Sequence, residues 1–135
     1  MQRFFATRGL AAALATSLSV ATLSPARAEI GDYEFRLVES DLKQGDGATV
    51  AVQLVDTRSG KPVPDAVIYA TRLDMAPEGM ATMTAPVEAL PSTEPGVYRF
   101  RTNLMMAGGW QLSLAAKVQG ETGTLQSQLI LRAVP

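Results

Sequence analysis

Short runs in which apolar and polar residues alternate recur along the chain from residue 33 onward. In the first run, Tyr33, Phe35 and Leu37 alternate with Glu34 and Arg36. A period of two is typical of a β-strand that buries one face and exposes the other. The same period recurs in TVAVQLVD (49–56), VYRFRTNL (97–104), WQLSLAAKV (110–118) and GTLQSQLILRAV (123–134). These runs predict an all-β fold.

Segments rich in Gly, Pro, Asp and Ser separate these runs. They are KQGDG, DTRSGKPVPDA, STEPG and VQGETG, and each supplies residues that tight connections require. About seven short strands separated in this way predict an antiparallel β-sandwich of immunoglobulin-like type. A small barrel is the competing architecture.

The segment GKPVPDAVIYA predicts where one of these strands begins. Pro62 and Pro64 have no backbone N–H to donate, so they belong before a strand or at its edge. After them, Val67 and Tyr69 alternate with Ile68, so both sides of this strand are apolar. Because strands covered on both faces have this composition, we expect a central strand here.

The first thirty residues have a different pattern. Arg3 and Arg8 precede an apolar run over residues 10–23, and the small residues of ARA follow at 26–28. This order is typical of a secretory signal peptide that is cleaved after Ala28. The apolar run is too short and too rich in Ser and Thr to span a bilayer comfortably. An uncleaved membrane anchor is the alternative interpretation.

Removal of a leader over residues 1–28 leaves residues 29–135, which suffice for one small domain with one core. We expect this domain to lie in the periplasm. Three of the twelve Lys and Arg residues lie in the leader, so nine remain against thirteen Asp and Glu, a formal charge near −4. That acidic balance argues against nucleic acid as a partner.

The chain has no cysteine and no histidine. The fold therefore cannot use disulfides, and no Ser/His or Cys/His catalytic constellation can be assembled. The short glycine groups GDG and MAGGW lack the sequence context and the lysine of a phosphate-binding loop. We expect no enzymatic activity, and no small-molecule substrate is evident.

Five methionines follow the leader, and three of them, Met75, Met80 and Met83, fall within the segment DMAPEGMATM. Met105 and Met106 are adjacent to each other further along the chain. Soft thioethers favour Cu(I), whereas the usual sites for Zn(II), Ni(II) and Cu(II) need imidazole or thiolate ligands. If these residues bind a metal, Cu(I) is therefore the expected cofactor.

Two interpretations of the methionines remain open. Pro77 and Gly79 predict that the segment is a loop at the edge of the sandwich, where binding residues are common. Methionine also fills irregular gaps in cores and contacts aromatic rings, so Met105 or Met106 could pack near Trp110. Neighbours on a strand point to opposite faces, so at most one of that adjacent pair is expected to face the core.

The sequence resembles the YtkA/FixH-like family over roughly residues 33–133. The resemblance rests on GKPVPDAVIYATRLDMAPEGMATM followed by EPGVYRFRTNLMMAGGWQLSL. It implies an immunoglobulin-like sandwich in the cell envelope, in a family associated with copper handling, heavy-metal efflux or assembly of copper-containing oxidases, and it does not imply an enzyme. The resemblance implies that Met80, Met83 and Met106 are the metal-binding positions and that Trp110 anchors the core. The methionine spacing here is looser than the Met-Pro-x-Met of the family, and no transmembrane helix of the FixH type follows the leader.

These observations predict a periplasmic copper-related binding or accessory protein. In this hypothesis the thioethers of Met75, Met80, Met83 and Met106 capture Cu(I) reversibly. The alternative is an interaction module without metal that supports a membrane complex or efflux system. It would bind an envelope or membrane protein through an exposed strand edge or through the methionine-containing loop.

Overall fold

Residues 30–135 are described by a computed structural model, and this part of the chain folds into nine β-strands arranged in two sheets. The predicted leader and its cleavage site lie outside the described residues. The strands are β1 (Tyr33–Leu37), β2 (Asp41–Lys43), β3 (Gly45–Asp56), β4 (Ala66–Met75), β5 (Met80–Ala85), β6 (Glu88–Leu90), β7 (Val97–Leu104), β8 (Gly108–Val118) and β9 (Leu125–Val134). Two short 3-10 helices occupy Ile30–Asp32 and Ala76–Glu78. Across residues 30–135, no helix is long and apolar enough to cross a membrane.

The strand order identifies the architecture. One sheet has the order β1-β3-β7-β6 and the other has the order β2-β9-β8-β4-β5. In the lettering of immunoglobulin domains these are A-B-E-D and A′-G-F-C-C′, because β8, β9 and β4 take the positions of F, G and C. The prediction of an immunoglobulin-like sandwich is therefore confirmed, and two separate sheets replace the alternative barrel.

The first edge strand divides between the two sheets, which raises the strand number above the predicted seven. β1 pairs antiparallel with β3, whereas β2 pairs parallel with β9. Residues 38–40 carry the chain across from one sheet to the other, and the N–H of Arg132 holds this crossing by donating to the carbonyl of Ser40 at 2.7 Å. The three-residue β6 adds a further short edge strand beside β7.

Alternating side chains of both sheets form the core, as the period of two predicts. Phe35, Val52 and Leu54 from the first sheet and Trp110 and Leu112 from the second are at most 2% exposed. Each fully buried large apolar side chain contributes roughly 1.5–3 kcal/mol relative to exposure. With no disulfide in the chain, this packing carries the stability of the domain.

β4 departs from the prediction that both of its faces are covered. It lies between β8 and β5, but β5 pairs only with its last three residues, so β4 is a central strand only over residues 73–75. Its outward side chains Val67 and Tyr69 are 63% and 54% exposed. The reason is that the sandwich has two layers, so an outward face meets solvent whatever its composition. The predicted role of the prolines is confirmed, since β4 begins only after Pro64.

Candidate functional site

The β4–β5 hairpin holds three of the methionines. Its connection is the 3-10 helix Ala76–Glu78, in which Pro77 fits because the first turn of a helix needs no N–H donor there. Gly79 closes the turn with φ +72°, a left-handed conformation that favours glycine. Met75 and Met80 are thereby brought opposite each other as paired residues of the two strands.

A buried carboxylate braces this hairpin. Asp74 is 4% exposed, and its Oδ2 accepts a hydrogen bond from Nε of Arg72 at 2.8 Å. Its Oδ1 accepts from the N–H of Ala76 at 2.9 Å, and the Arg72 guanidinium also donates to the carbonyl of Ala81 at 2.7 Å. One ion pair therefore connects β4, the 3-10 helix and β5, and it sets the path of the strand that carries Met83.

The β7–β8 turn holds the other two methionines. Nε2 of Gln44 donates to the carbonyl of Met105 at 2.9 Å, and Nε1 of Trp110 donates to the carbonyl of Met106 at 3.0 Å. The two peptide carbonyls are thus held by the body of the domain. The side chains are not held, because Met105 is 60% exposed and Met106 is 39% exposed.

A pair of glycines allows the two methionine-bearing segments to meet. Oε1 of Glu78 accepts a hydrogen bond from the N–H of Gly109 at 2.8 Å. A Cβ atom added at Gly109 would lie 2.9 Å from Cβ of Pro77, and one added at Gly108 would lie 3.0 Å from Oε1 of Glu78. Residues without side chains at 108 and 109 therefore let the 3-10 helix pack against the start of β8, at the same end of the sandwich as the β7–β8 turn.

The predicted ligands occupy different environments in this arrangement. Met75 is 0% exposed and belongs to the core, so segment 74–83 is not simply the edge loop that its Pro and Gly suggest. Met80 is partly buried against that core, whereas Met83 is 40% exposed on β5. Met106 is exposed on the neighbouring turn. The structure therefore brings Met75 and Met80 together inside the hairpin and leaves Met83 and Met106 open to solvent.

Met105 is the residue that the predicted ligand set omits, although it is the most exposed of these methionines. In the sequence, Met105 and Met106 are adjacent and lie between two predicted strands, and this position predicts a turn. In a turn neither side chain has to face the core, and neither is buried here. Among residues 30–135, no three acidic side chains come together in a group that could hold a metal ion.

A groove of about 410 Å³ lies on the side of the sandwich, away from the methionines, and Ile68, Leu90 and Phe100 are among the residues that line it. Tyr98 also lines this groove, and its hydroxyl donates to the carbonyl of Val63 at 2.8 Å and accepts from the N–H of Ala66 at 3.1 Å. Burial raises the pKa of Tyr98 above its ordinary value. Tyr98 thus fixes the point at which the chain enters β4.

Comparison with known proteins places the chain in a family. The model of the family described as YtkA-like matches residues 27–115, which is more than half of the chain. The chain belongs to the YtkA-like family. The resemblance found in the sequence is therefore confirmed, and this YtkA-like domain includes both methionine-bearing segments within the matched residues.

Other comparisons are more distant. No curated protein matches the chain in sequence. Among solved structures, the crystal structure of the Lin-41 filamin domain is 17% identical, covers 82% of this chain and 98% of its own, and has a TM-score of 0.48. The ZirS C-terminal domain is 16% identical, covers 87% of this chain and 75% of its own, and has a TM-score of 0.46. The fold of this YtkA-like domain is assigned from its own strand order.

Proposed function

We propose that this YtkA-like domain is a copper-related accessory protein of the cell envelope that captures Cu(I) through thioethers at one end of its sandwich. The family supports a non-enzymatic envelope role, and the signal-peptide pattern supports export to the periplasm. The observation that carries the proposal is the junction between Glu78 and Gly109, which holds the hairpin and the β7–β8 turn side by side. Both segments present thioethers, and the chain has no imidazole or thiolate to compete with them.

The exposed side chains are the proposed donors. Met83 and Met106 can reach a metal from solvent, and Met80 is the partly buried thioether of the hairpin. Met105 adds a further exposed thioether to the same end of the domain. Met75 is the packing residue beneath this site, because its sulfur has no access to solvent.

Anaerobic titration of Cu(I) against a competing chelator tests the proposal. Wild-type protein should compete for the metal, and a variant that combines Met80→Leu, Met83→Leu and Met106→Leu should not. Met75→Leu is the matched control, because it also removes one thioether but from the core, and it should retain Cu(I). Equal affinity of the wild type and the triple variant would contradict the proposal.

A second candidate is the interaction module, and the free edge of β4 favours it. β5 pairs only with Leu73, Asp74 and Met75. Across the described residues, the outer edge of β4 from Ala66 to Arg72 therefore has no strand beside it. Exposed apolar side chains beside unpaired backbone groups suit the addition of a partner strand. A photo-crosslinking residue at Tyr69 should capture an envelope protein in intact cells under this hypothesis, and the same probe at Thr49 on the other sheet should not.

A further inference from the structure

We propose that Met83, Met105 and Met106 form a reversible oxidation site, at which hypohalous acids convert exposed thioethers into sulfoxides while the fold stays intact. These side chains are 40%, 60% and 39% exposed. Methionine sulfoxide forms where the sulfur is accessible, and it changes a flexible apolar side chain into a polar one. The inference goes beyond metal capture and does not depend on it.

The remaining groups that react fastest with hypohalous acids are absent or at least partly buried, since Met80 packs against the core and the exposed Tyr69 ring reacts more slowly than a thioether. The chain has no cysteine, so the thiol chemistry that usually dominates the response to oxidants is excluded. Trp110 is 2% exposed and Met75 is 0% exposed. The exposed thioethers of the described domain therefore lie on the β7–β8 turn and on the edge strand β5.

The proposed step balances with hypochlorous acid as the oxidant. The thioether sulfur attacks the chlorine atom of HOCl and displaces hydroxide, which gives a chlorosulfonium ion. Water then adds to the sulfur as the S–Cl bond breaks and chloride departs, and loss of two protons, one of which neutralises the hydroxide, leaves the sulfoxide. R–S–CH3 and HOCl thus give R–S(O)–CH3, H+ and Cl−, with sulfur oxidised by two electrons and chlorine reduced by two. Methionine sulfoxide reductases, which treat one sulfur epimer each, reverse the change at the expense of thiols.

The backbone contacts explain why the fold should tolerate this change. The carbonyls of Met105 and Met106 accept hydrogen bonds from Gln44 and Trp110, so the turn is held without the use of either sulfur. An added oxygen on these side chains points to water and needs no new partner. The same oxygen on Met75 would place an unpartnered polar group in the core, where burial is costly.

Limited treatment of metal-free protein with hypochlorous acid tests the inference, with peptide mass mapping of each methionine. Met83, Met105 and Met106 should each gain about 16 Da, the mass of one oxygen, while Met75 stays unmodified. The melting temperature should stay within about 2 °C of the untreated value, since a shift of a few degrees corresponds to roughly 1 kcal/mol. In concentrated guanidinium chloride, Met75 should react as fast as the others.

Two further measurements make the result decisive. A variant with Met83→Leu, Met105→Leu and Met106→Leu should take up little oxygen at the same dose and remain folded. Incubation of the oxidised wild type with both methionine sulfoxide reductases and dithiothreitol should restore the original mass. Oxidation of Met75 in folded protein at a rate comparable to Met105, unfolding upon oxidation, or failure of the reductases to act would each overturn the inference. Because no metal is present, these outcomes are independent of whether the domain binds Cu(I).

Discussion

The indole N–H of Trp110 donates a hydrogen bond to the carbonyl of Met106 at 3.0 Å. Trp110 is one of the largest fully buried side chains, and Met106 lies on an exposed turn four residues earlier. A core residue thus directly holds the backbone of the methionine-bearing turn. The backbone conformation of the exposed turn therefore depends on core packing as well as on the local sequence of the turn.

Trp110→Phe tests this coupling. Phenylalanine cannot donate the hydrogen bond and leaves part of the indole volume empty, so we expect a loss on the order of 2 kcal/mol in the free energy of unfolding. Urea denaturation followed by far-UV circular dichroism measures it. Amide exchange at Ala107 should also become faster than in wild type. An unchanged unfolding midpoint would show that the contact contributes nothing.

Comparison of Met75 with Met83 separates packing from exposure. Met75→Ala should cost about 2–5 kcal/mol, because it opens a cavity in the core, whereas Met75→Leu should cost less than about 1.5 kcal/mol. Met83→Ala should stay within about 0.5 kcal/mol of wild type, because the side chain is largely outside the core. Thermal unfolding of the apo proteins provides the measurement. Similar losses for the two alanine variants would contradict the burial described above.

Thr102 offers a stabilising substitution. Thr102 is 2% exposed, and within the described part of the chain its hydroxyl has no hydrogen-bond partner. Thr102→Val removes an unsatisfied buried polar group with little change of shape, so we expect a gain of about 1–3 kcal/mol. Thr102→Ser keeps the hydroxyl and removes a methyl group, so it should destabilise. Equilibrium unfolding in urea compares the three proteins, and a less stable valine variant would refute the explanation.

Asp56 should make part of the stability of the folded domain sensitive to acid. The hydrogen bonds that its carboxylate accepts from the side chain and backbone of Arg58 lower the pKa of Asp56 below its ordinary value of 3.8. The folded domain therefore binds this proton more weakly than the unfolded chain does. The resulting stability is present above pH 3.8 and disappears as the pH falls through the lower, folded value. Asp56→Asn should make the free energy of unfolding depend less on pH in that acidic window. Glu34→Gln removes the same charge from an exposed ion pair and is the matched control.

Cu(I) binding should depend little on pH under the proposed function. Thioethers carry no ionisable proton, so affinity measured anaerobically should change little between about pH 5 and 8. The competing chelator needs a known pH response over that interval. A steep loss of affinity toward pH 5 would instead identify a titrating ligand, such as a carboxylate.

The local pattern of the sequence determined most of the long strands and the residues in them that face the core. Phe35 and Leu112 are buried where a period of two places them, because alternation along a strand depends only on neighbouring residues. Pro62 and Pro64 likewise mark the start of β4 through a local property, the missing N–H. The family also follows from the sequence, since its motifs occur in the expected order.

The tertiary structure decided which methionines are core and which are exposed. Met75 and Met83 share a segment and a residue type, yet one is fully buried and the other is not. A register shift in the β4–β5 pairing interrupts the period of two there, so sequence spacing no longer predicts the face. Glu78 meets Gly109 across 31 positions, and this contact exists only because the sheet brings β4 beside β8. Contacts between residues distant in sequence depend on the assembled sheets, and no local pattern encodes them.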